Sequence, residues 1–220
     1  MIQTTLIGAK AAQTSYYAEA QAERIGLPLT HMVTINFAST RIDPRLAVAA
    51  FSKLRRDRFN KWATRPRRGT GTAFTPTYVF AFENVRGSTV YETMEPGDPH
   101  NVHVHWAVHV PADRHHDFAN NIWAWVEETT GGITGGSETI NITPIWKTLN
   151  GYLVKGTTTT LAELYGRGQA AIPQGLICGR RADTSRNLGP TARRAMDRKL
   201  GIQRQMPNRR PASNAVLAAF

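Results

Sequence analysis

Apolar and polar residues alternate strictly in NVHVHWAVHVP, where Val102, Val104, Trp106, Val108 and Val110 take every second position. Successive side chains of a strand point to opposite faces. The valines and Trp106 therefore share one face, and His103, His105, Ala107 and His109 share the other. The same period appears in TYVFAFEN, with Tyr78, Phe80 and Phe82 opposed to Thr77, Val79, Ala81 and Glu83. In MVTINF it sets Val33, Ile35 and Phe37 against Met32, Thr34 and Asn36. ETINITPI supplies a further strand. Helical spacing marks residues 9–25, rich in Ala, Gln and Glu. It recurs from Asp43 to about residue 62, through Leu46, Ala50, Phe51 and Leu54, and again in DRHHDFANNIWAWVEETTG, where Phe118, Ile122, Trp125 and Val126 form one stripe. TPIWKTLNGYLVKG predicts a helix ended by Gly156, with Ile145, Leu149 and Leu153 on its buried side. RPRRGTGTAFTP breaks into a loop, and VRGSTVYETMEPGDPH predicts a polar hairpin or loop before the histidine strand.

These elements predict an α+β fold, an antiparallel sheet of about five strands with flanking helices set on one side of it. The expected divisions are an N-terminal helix at 1–26, the main domain at 27–179, and a basic, partly flexible segment at 180–220. Ten Arg and Lys stand against two Asp between Arg180 and Arg210. GPTARRAMDRKLG predicts one short helix there, and RQMPNRRPAS a flexible tail.

The chain of 220 residues is 41% hydrophobic, enough for a substantial core, and carries a formal charge of +11. That charge points to a polyanionic partner, nucleic acid first and an acidic membrane second. No apolar run is long enough to span a bilayer, and no secretory signal is apparent. The single cysteine, Cys178, forms no internal disulfide and suits a small buried position. A cytoplasmic setting is expected.

Two histidines at i and i+2 of a strand can turn toward one ion, and a divalent site needs a further ligand. Glu83 supplies a candidate, because a hairpin would lay its strand beside His103 and His105 with the carboxylate on their face. Taken alone, the pair fits equally well two polar residues on a half-exposed strand. Tyr152 and Lys155, at i and i+3, share one face of their expected helix. A phenol beside an ammonium suits a nucleophile meant for a phosphate, since the ammonium orients the anion and favours phenolate. Thr34 and Asn36 are placed to contact DNA or to support the metal ligands. Arg55, Arg56, Arg58 and Lys61 at the basic helix end, with Arg180 and Arg181, are candidates for contact with a nucleic-acid backbone. His109 is a possible outer ligand or a packing residue, and His115 and His116 are expected to be solvated. No helicase phosphate-loop motif is present.

In this order, the T-x-N strand, the H-hydrophobic-H strand and the YxxK segment resemble the HUH endonucleases of the rolling-circle replication initiator (Rep) type. QGLICGRRADTSRNLGPTARR also resembles a segment of bacterial plasmid and inovirus-like replication proteins. The resemblance spans roughly residues 27–195 and implies a sheet topology related to the RNA-recognition motif. It implies Mn²⁺ or Mg²⁺ at Glu83, His103 and His105, Tyr152 as nucleophile and Lys155 as its helper. Single-stranded or hairpin origin DNA would be the substrate, with a 5′-phosphotyrosyl link and a free 3′-OH as products. A host helicase and polymerase would be the partners. Tyr16 and Tyr17, upstream of the histidines, leave open a relaxase arrangement, although MEPGDPHNVHVH lacks the extended relaxase histidine pattern. A single-tyrosine HUH transposase has the same motif order. A noncatalytic nucleic-acid-binding domain on the same fold is the alternative of another class.

Overall fold

The computed structural model describes residues 2–65, 71–84, 101–146, 149, 152–164 and 174–202. In chain order the regular elements are β1 (Gln3–Thr4), α1 (Ala9–Arg24), β2 (His31–Asn36), α2 (Ala47–Lys53), α3 (Asn60–Thr64), β3 (Tyr78–Asn84), β4 (Val102–Val108), α4 (His115–Thr130), β5 (Ile140–Pro144), α5 (Thr159–Leu164), β6 (Ile177–Cys178), β7 (Ala182–Thr184) and α6 (Pro190–Lys199). Five strands form one antiparallel sheet in the order β5-β2-β4-β3-β7, and β1 pairs with β6 in a separate two-stranded ribbon. This is the expected α+β fold. The expected loop through 66–70, the polar connection at 85–100 with His100, and the tail beyond 202 lie outside the described residues.

The alternation in β2, β3 and β4 divides the sheet into two unlike faces. Val33, Ile35, Phe80, Phe82, Val104, Trp106 and Val108 form the apolar face, packed against Phe51, Leu54 and Phe59 and the Phe118–Ile122–Val126 stripe of α4. Trp106 is fully buried, with the rings of Phe59 and Phe51 at 4.9 and 5.5 Å, edge to face. Such contacts add about 1 kcal/mol each to the burial of the rings. The second face is covered by α1, whose Ala12, Ala18 and Ala22 let its backbone come close to Val79, Ala81 and Ala107. Helices thus flank both faces, where the sequence pattern predicted one side only.

The helical stretch after residue 43 begins as expected, with the Asp43 carboxylate accepting from Arg45 N at 2.9 Å. Leu46 falls in the opening 3₁₀ turn and is exposed, so it is not part of the buried stripe. Between α2 and α3 the backbone makes a π turn over Leu54–Phe59. Its wider spacing buries both Leu54 and Phe59, five residues apart. The helix α4 ends at Gly131, whose φ of 77° is the left-handed conformation that glycine adopts without strain.

The boundary expected at 179/180 crosses the sheet. β7 pairs with β3 from Ala81↔Ala182 to Val79↔Thr184, and Arg24 of α1 meets Asp197 of α6 at 3.5 Å. Arg181 is only 3% exposed and donates to the carbonyls of Thr4, Phe82, Gln174 and Gly175. It ties three backbone segments together, at Thr4, Phe82 and Gln174–Gly175, and is not a surface contact for DNA. Burial lowers its pKa to about 10, with the charge of Glu83 opposing the shift, so it stays protonated at neutral pH.

His115 is packed rather than solvated. Its Nε2 donates to Val110 O at 2.8 Å, and its ring lies 4.4 Å from that of His31. His116 is exposed, as expected. Burial, with a smaller contribution from the charge of His115, lowers the pKa of His31 to about 4. His31 is therefore neutral in the fold and takes up a proton more readily when the chain unfolds. Its stabilising contribution is complete above the ordinary value of 6.5 and is lost as pH falls toward 4. The thermal midpoint should drop across that window, and His31→Phe should make the drop shallower. Because the ring is only partly buried, the loss should stay below roughly 3 kcal/mol. A pH series of calorimetric melts reads both. Arg181→Met should destabilise the fold by about 3 kcal/mol or more, since it strands buried carbonyls. Urea unfolding measures this loss.

Candidate metal centre and nucleophile

The site is built by the β3–β4 pairing. Glu83 faces His103 directly across the two strands, and Ala81 faces His105. Asn84 closes the pair just beyond, accepting from Asn101 N at 2.9 Å and donating to Leu176 O at 3.1 Å. One Glu83 carboxylate oxygen (Oε2) lies 3.6 Å from His103 Nε2 and 3.6 Å from His105 Nε2. The candidate ligand atoms of Glu83, His103 and His105 all fall within 4.8 Å of one another.

Both imidazoles are oriented from behind. His103 Nδ1 donates to the carbonyl of Asn101 at 3.0 Å, which leaves the lone pair on Nε2. His105 Nδ1 lies 3.0 Å from the Thr34 hydroxyl, which can accept its proton and free Nε2 in the same way. Partners of this kind hold the rings of metal-binding histidines. Thr34 thus orients a candidate ligand. Asn36 serves the backbone instead. Its side chain accepts from Ala38 N at 3.1 Å and donates to Ser39 Oγ at 3.2 Å, capping the turn after β2.

Glu83 is 4% exposed, and its Oε1 has no hydrogen-bond partner. Burial alone would raise its pKa. The adjacent imidazoles of His103 and His105, with positive charge at His105 and Lys155, more than offset this and hold the carboxyl well below the usual range. Burial pushes His105 down, against the pull of Glu83, and so favours the neutral ring. A buried carboxylate beside two imidazoles whose Nδ1 atoms are held by polar partners fits a divalent cation.

The nucleophile candidates reach the same point. The Tyr152 hydroxyl is 3.3 Å from His105 Nε2, and the two rings are 4.8 Å apart. Lys155 Nζ lies 3.9 Å from the Tyr152 ring centroid and 3.9 Å from Glu83 Oε1. Tyr152 is 39% exposed, so a substrate can reach its phenol. The pair does share a face, but on a 3₁₀ turn over Tyr152–Val154. β5 runs on to Pro144, where the expected helix was to begin, and residues 147, 148, 150 and 151 lie outside the described residues. Gly156, with a φ of 74°, ends the turn where expected. Contrary to the expectation of a favoured phenolate, burial and then the charge of Glu83 raise the Tyr152 pKa.

The other candidates stand elsewhere. Arg55, Arg56, Arg58 and Lys61 lie on the α2–α3 stretch, which packs on the apolar face, across the sheet from the metal cluster. Arg55 stacks 4.4 Å above the Phe80 ring and donates to the Tyr78 hydroxyl at 3.0 Å. Arg56 pairs with Asp57 at 2.8 Å and Arg58 with Glu128, while Lys61 is exposed. Arg180 is exposed and paired with Asp183. His109 packs, with Nδ1 donating to Pro28 O at 2.7 Å, and is not a ligand of the cluster. Tyr16 packs against Val154 and Ala162, and Tyr17 lies beneath the guanidinium of Arg193 at 4.6 Å. The orienting carbonyl of Asn101 was not foreseen, and no sequence signal marks it, since any residue supplies a carbonyl.

Comparison with protein-family models, with curated proteins and with solved structures found no match. No helix among the described residues is long and apolar enough to cross a membrane.

Thr34→Val should leave His105 Nδ1 without its partner and weaken Mn²⁺ binding about 10-fold, with Thr34→Ser restoring it. Titration calorimetry on the isolated protein measures both affinities.

Proposed function

We propose that this protein is a rolling-circle replication initiator that nicks single-stranded DNA by transesterification. The observation that carries the reading is the meeting of the Tyr152 phenol with the Glu83–His103–His105 cluster at 3.3 Å, with Lys155 between the ring and the carboxylate. A simple metal-binding cluster has no need of an exposed phenol and an ammonium beside it.

Glu83, His103 and His105 would hold Mn²⁺ or Mg²⁺, which supplies Lewis-acid stabilisation of charge on the scissile phosphate. Tyr152 attacks phosphorus with its phenolic oxygen. A tyrosyl–phosphate bond forms at the 5′ side, the bond from phosphorus to the 3′ oxygen breaks, and that oxygen leaves as a 3′-OH. The proton given up by the phenol balances the one gained by the leaving oxygen. Lys155 draws the phosphate toward the ring and offsets charge on its oxygens as the bond forms. The new phosphodiester keeps the energy of the old one, so a free 3′-OH can reverse the step and rejoin the strand. The free 3′-OH also suits priming by a host polymerase, after unwinding by a host helicase. Hairpin DNA would serve where it extrudes a single strand.

A single-tyrosine transposase would use the same chemistry. The relaxase order would instead draw its nucleophile from Tyr16, packed against Val154 and Ala162, or Tyr17, beneath the guanidinium of Arg193.

Labelled single-stranded oligonucleotides tiled across the adjoining DNA, mixed with protein and Mn²⁺ and run denatured, should yield a covalent adduct. EDTA and Tyr152→Phe should abolish it, Lys155→Gln should slow it about 100-fold, and Tyr16→Phe/Tyr17→Phe should leave it. Tight binding without an adduct on any oligonucleotide would instead favour the noncatalytic binding domain.

A further inference from the structure

A cleft of about 1050 Å³ lies between the start of α1, strand β7 and the start of α6. Three exposed cations line it, Lys10, Arg180 and Arg186. Among the described residues its one acidic lining residue, Asp183, pairs with Arg180, so the three cations and one carboxylate leave the lining with a net positive charge. Much of the remaining lining is alanine and glycine, which leaves room for a chain to lie along it. The first turns of both helices border the same space. Neither holds an acidic residue, and neither has a side-chain cap. The uncapped N–H groups add positive potential to that of the three cations.

The cleft adjoins the nucleophile turn. Ile7 N, one residue before the α1 cap, donates to Gly156 O at 2.7 Å, and Gly156 follows Lys155 directly. On its other side, β7 pairs with β3, the strand that bears Glu83. The cations and N–H groups suit phosphate oxygens rather than base edges, and among the described residues no aromatic side chain lines the cleft for base stacking.

We propose that this cleft holds the sugar–phosphate backbone of the same DNA strand whose scissile phosphate meets Tyr152, in contacts independent of base sequence. The inference rests on the reading of the chain as a strand-transferring nuclease. It moves the main phosphate track from the α2–α3 basic stretch to the α1–β7–α6 side.

The test uses the full chain and a fluorescein-labelled single-stranded oligonucleotide known to form the adduct, followed by anisotropy across a salt series. For Lys10→Gln/Arg180→Gln/Arg186→Gln, the slope of log affinity against log salt should become shallower by about 2, since each lost single-strand contact removes about 0.7. Affinity at low salt should fall at least 10-fold, by the approximate scale of three lost phosphate contacts. The thermal midpoint and Mn²⁺ affinity should be retained, because all three side chains are exposed and outside the metal cluster. Lys10→Arg/Arg180→Lys/Arg186→Lys should keep the wild-type slope. An unchanged affinity and slope in the glutamine variant, with wild-type protein still forming the adduct, would overturn the cleft and leave the nuclease reading standing. If wild-type protein neither bound nor joined any single strand, both would fall.

Discussion

Antiparallel pairing of β3 with β4 in a single register is the constraint on which the molecule depends. Glu83 lies opposite His103, and Ala81 opposite His105. A slip by one residue would turn the imidazoles toward Phe51 and Phe59 and expose Trp106 on the other face. The core and the metal cluster therefore specify the same register. The aromatic packing around Trp106 holds the strands in place, and that placement brings the imidazoles of His103 and His105 to one oxygen of the buried Glu83 carboxylate and Lys155 to the other. Asn84 reinforces the register at the open end of the pair, binding the backbone at Asn101 and Leu176.

The two faces of the sheet divide the tasks. On one, large aromatic and aliphatic side chains fill the space beneath α2, α3 and α4. On the other, alanines bring α1 close to the strands, and the polar residues lie toward the end where Glu83 and His103 sit. Glu83 is buried with its carboxyl held well below the usual range, the two imidazoles crowd one of its oxygens, and Lys155 lies 3.9 Å from the other. Burial first, and then the same buried negative charge, raise the pKa of Tyr152.

Period-two patterning made β2, β3 and β4 and their inward faces legible, because the alternation is the physical cause of both faces. The common face of Glu83, His103 and His105 followed from it once the two strands were taken as a hairpin, though the alternation alone did not separate a metal site from polar residues on a half-exposed strand. The Tyr152–Lys155 pair was legible as neighbours one turn apart, although the turn is 3₁₀ and the expected long helix was misplaced. That stretch is apolar and short, and β5 claims its first residues through pairing with β2 that no local propensity reports. The basic residues were the least legible. Charge alone does not distinguish Arg181, which satisfies buried carbonyls, from Arg55, which stacks on Phe80, or from Arg180, which faces solvent. The part of the sheet formed by β7 was hidden for the same reason, since three residues in a basic stretch carry almost no periodicity.

Arg181 has a consequence for the order in which the molecule is assembled. The metal ligands are close in the chain, with some 20 residues between Glu83 and His103, so they can come together by a local hairpin. The bond from Arg181 to Thr4 O spans 177 positions, and β7 joins the sheet from the same distant stretch. Loop closure makes such long-range contacts late ones. On a ribosome, the Glu83–His103–His105 cluster would emerge well before the residues that fasten the sheet's far edge. A captured ion would then serve as an early staple for a chain whose two ends have yet to meet.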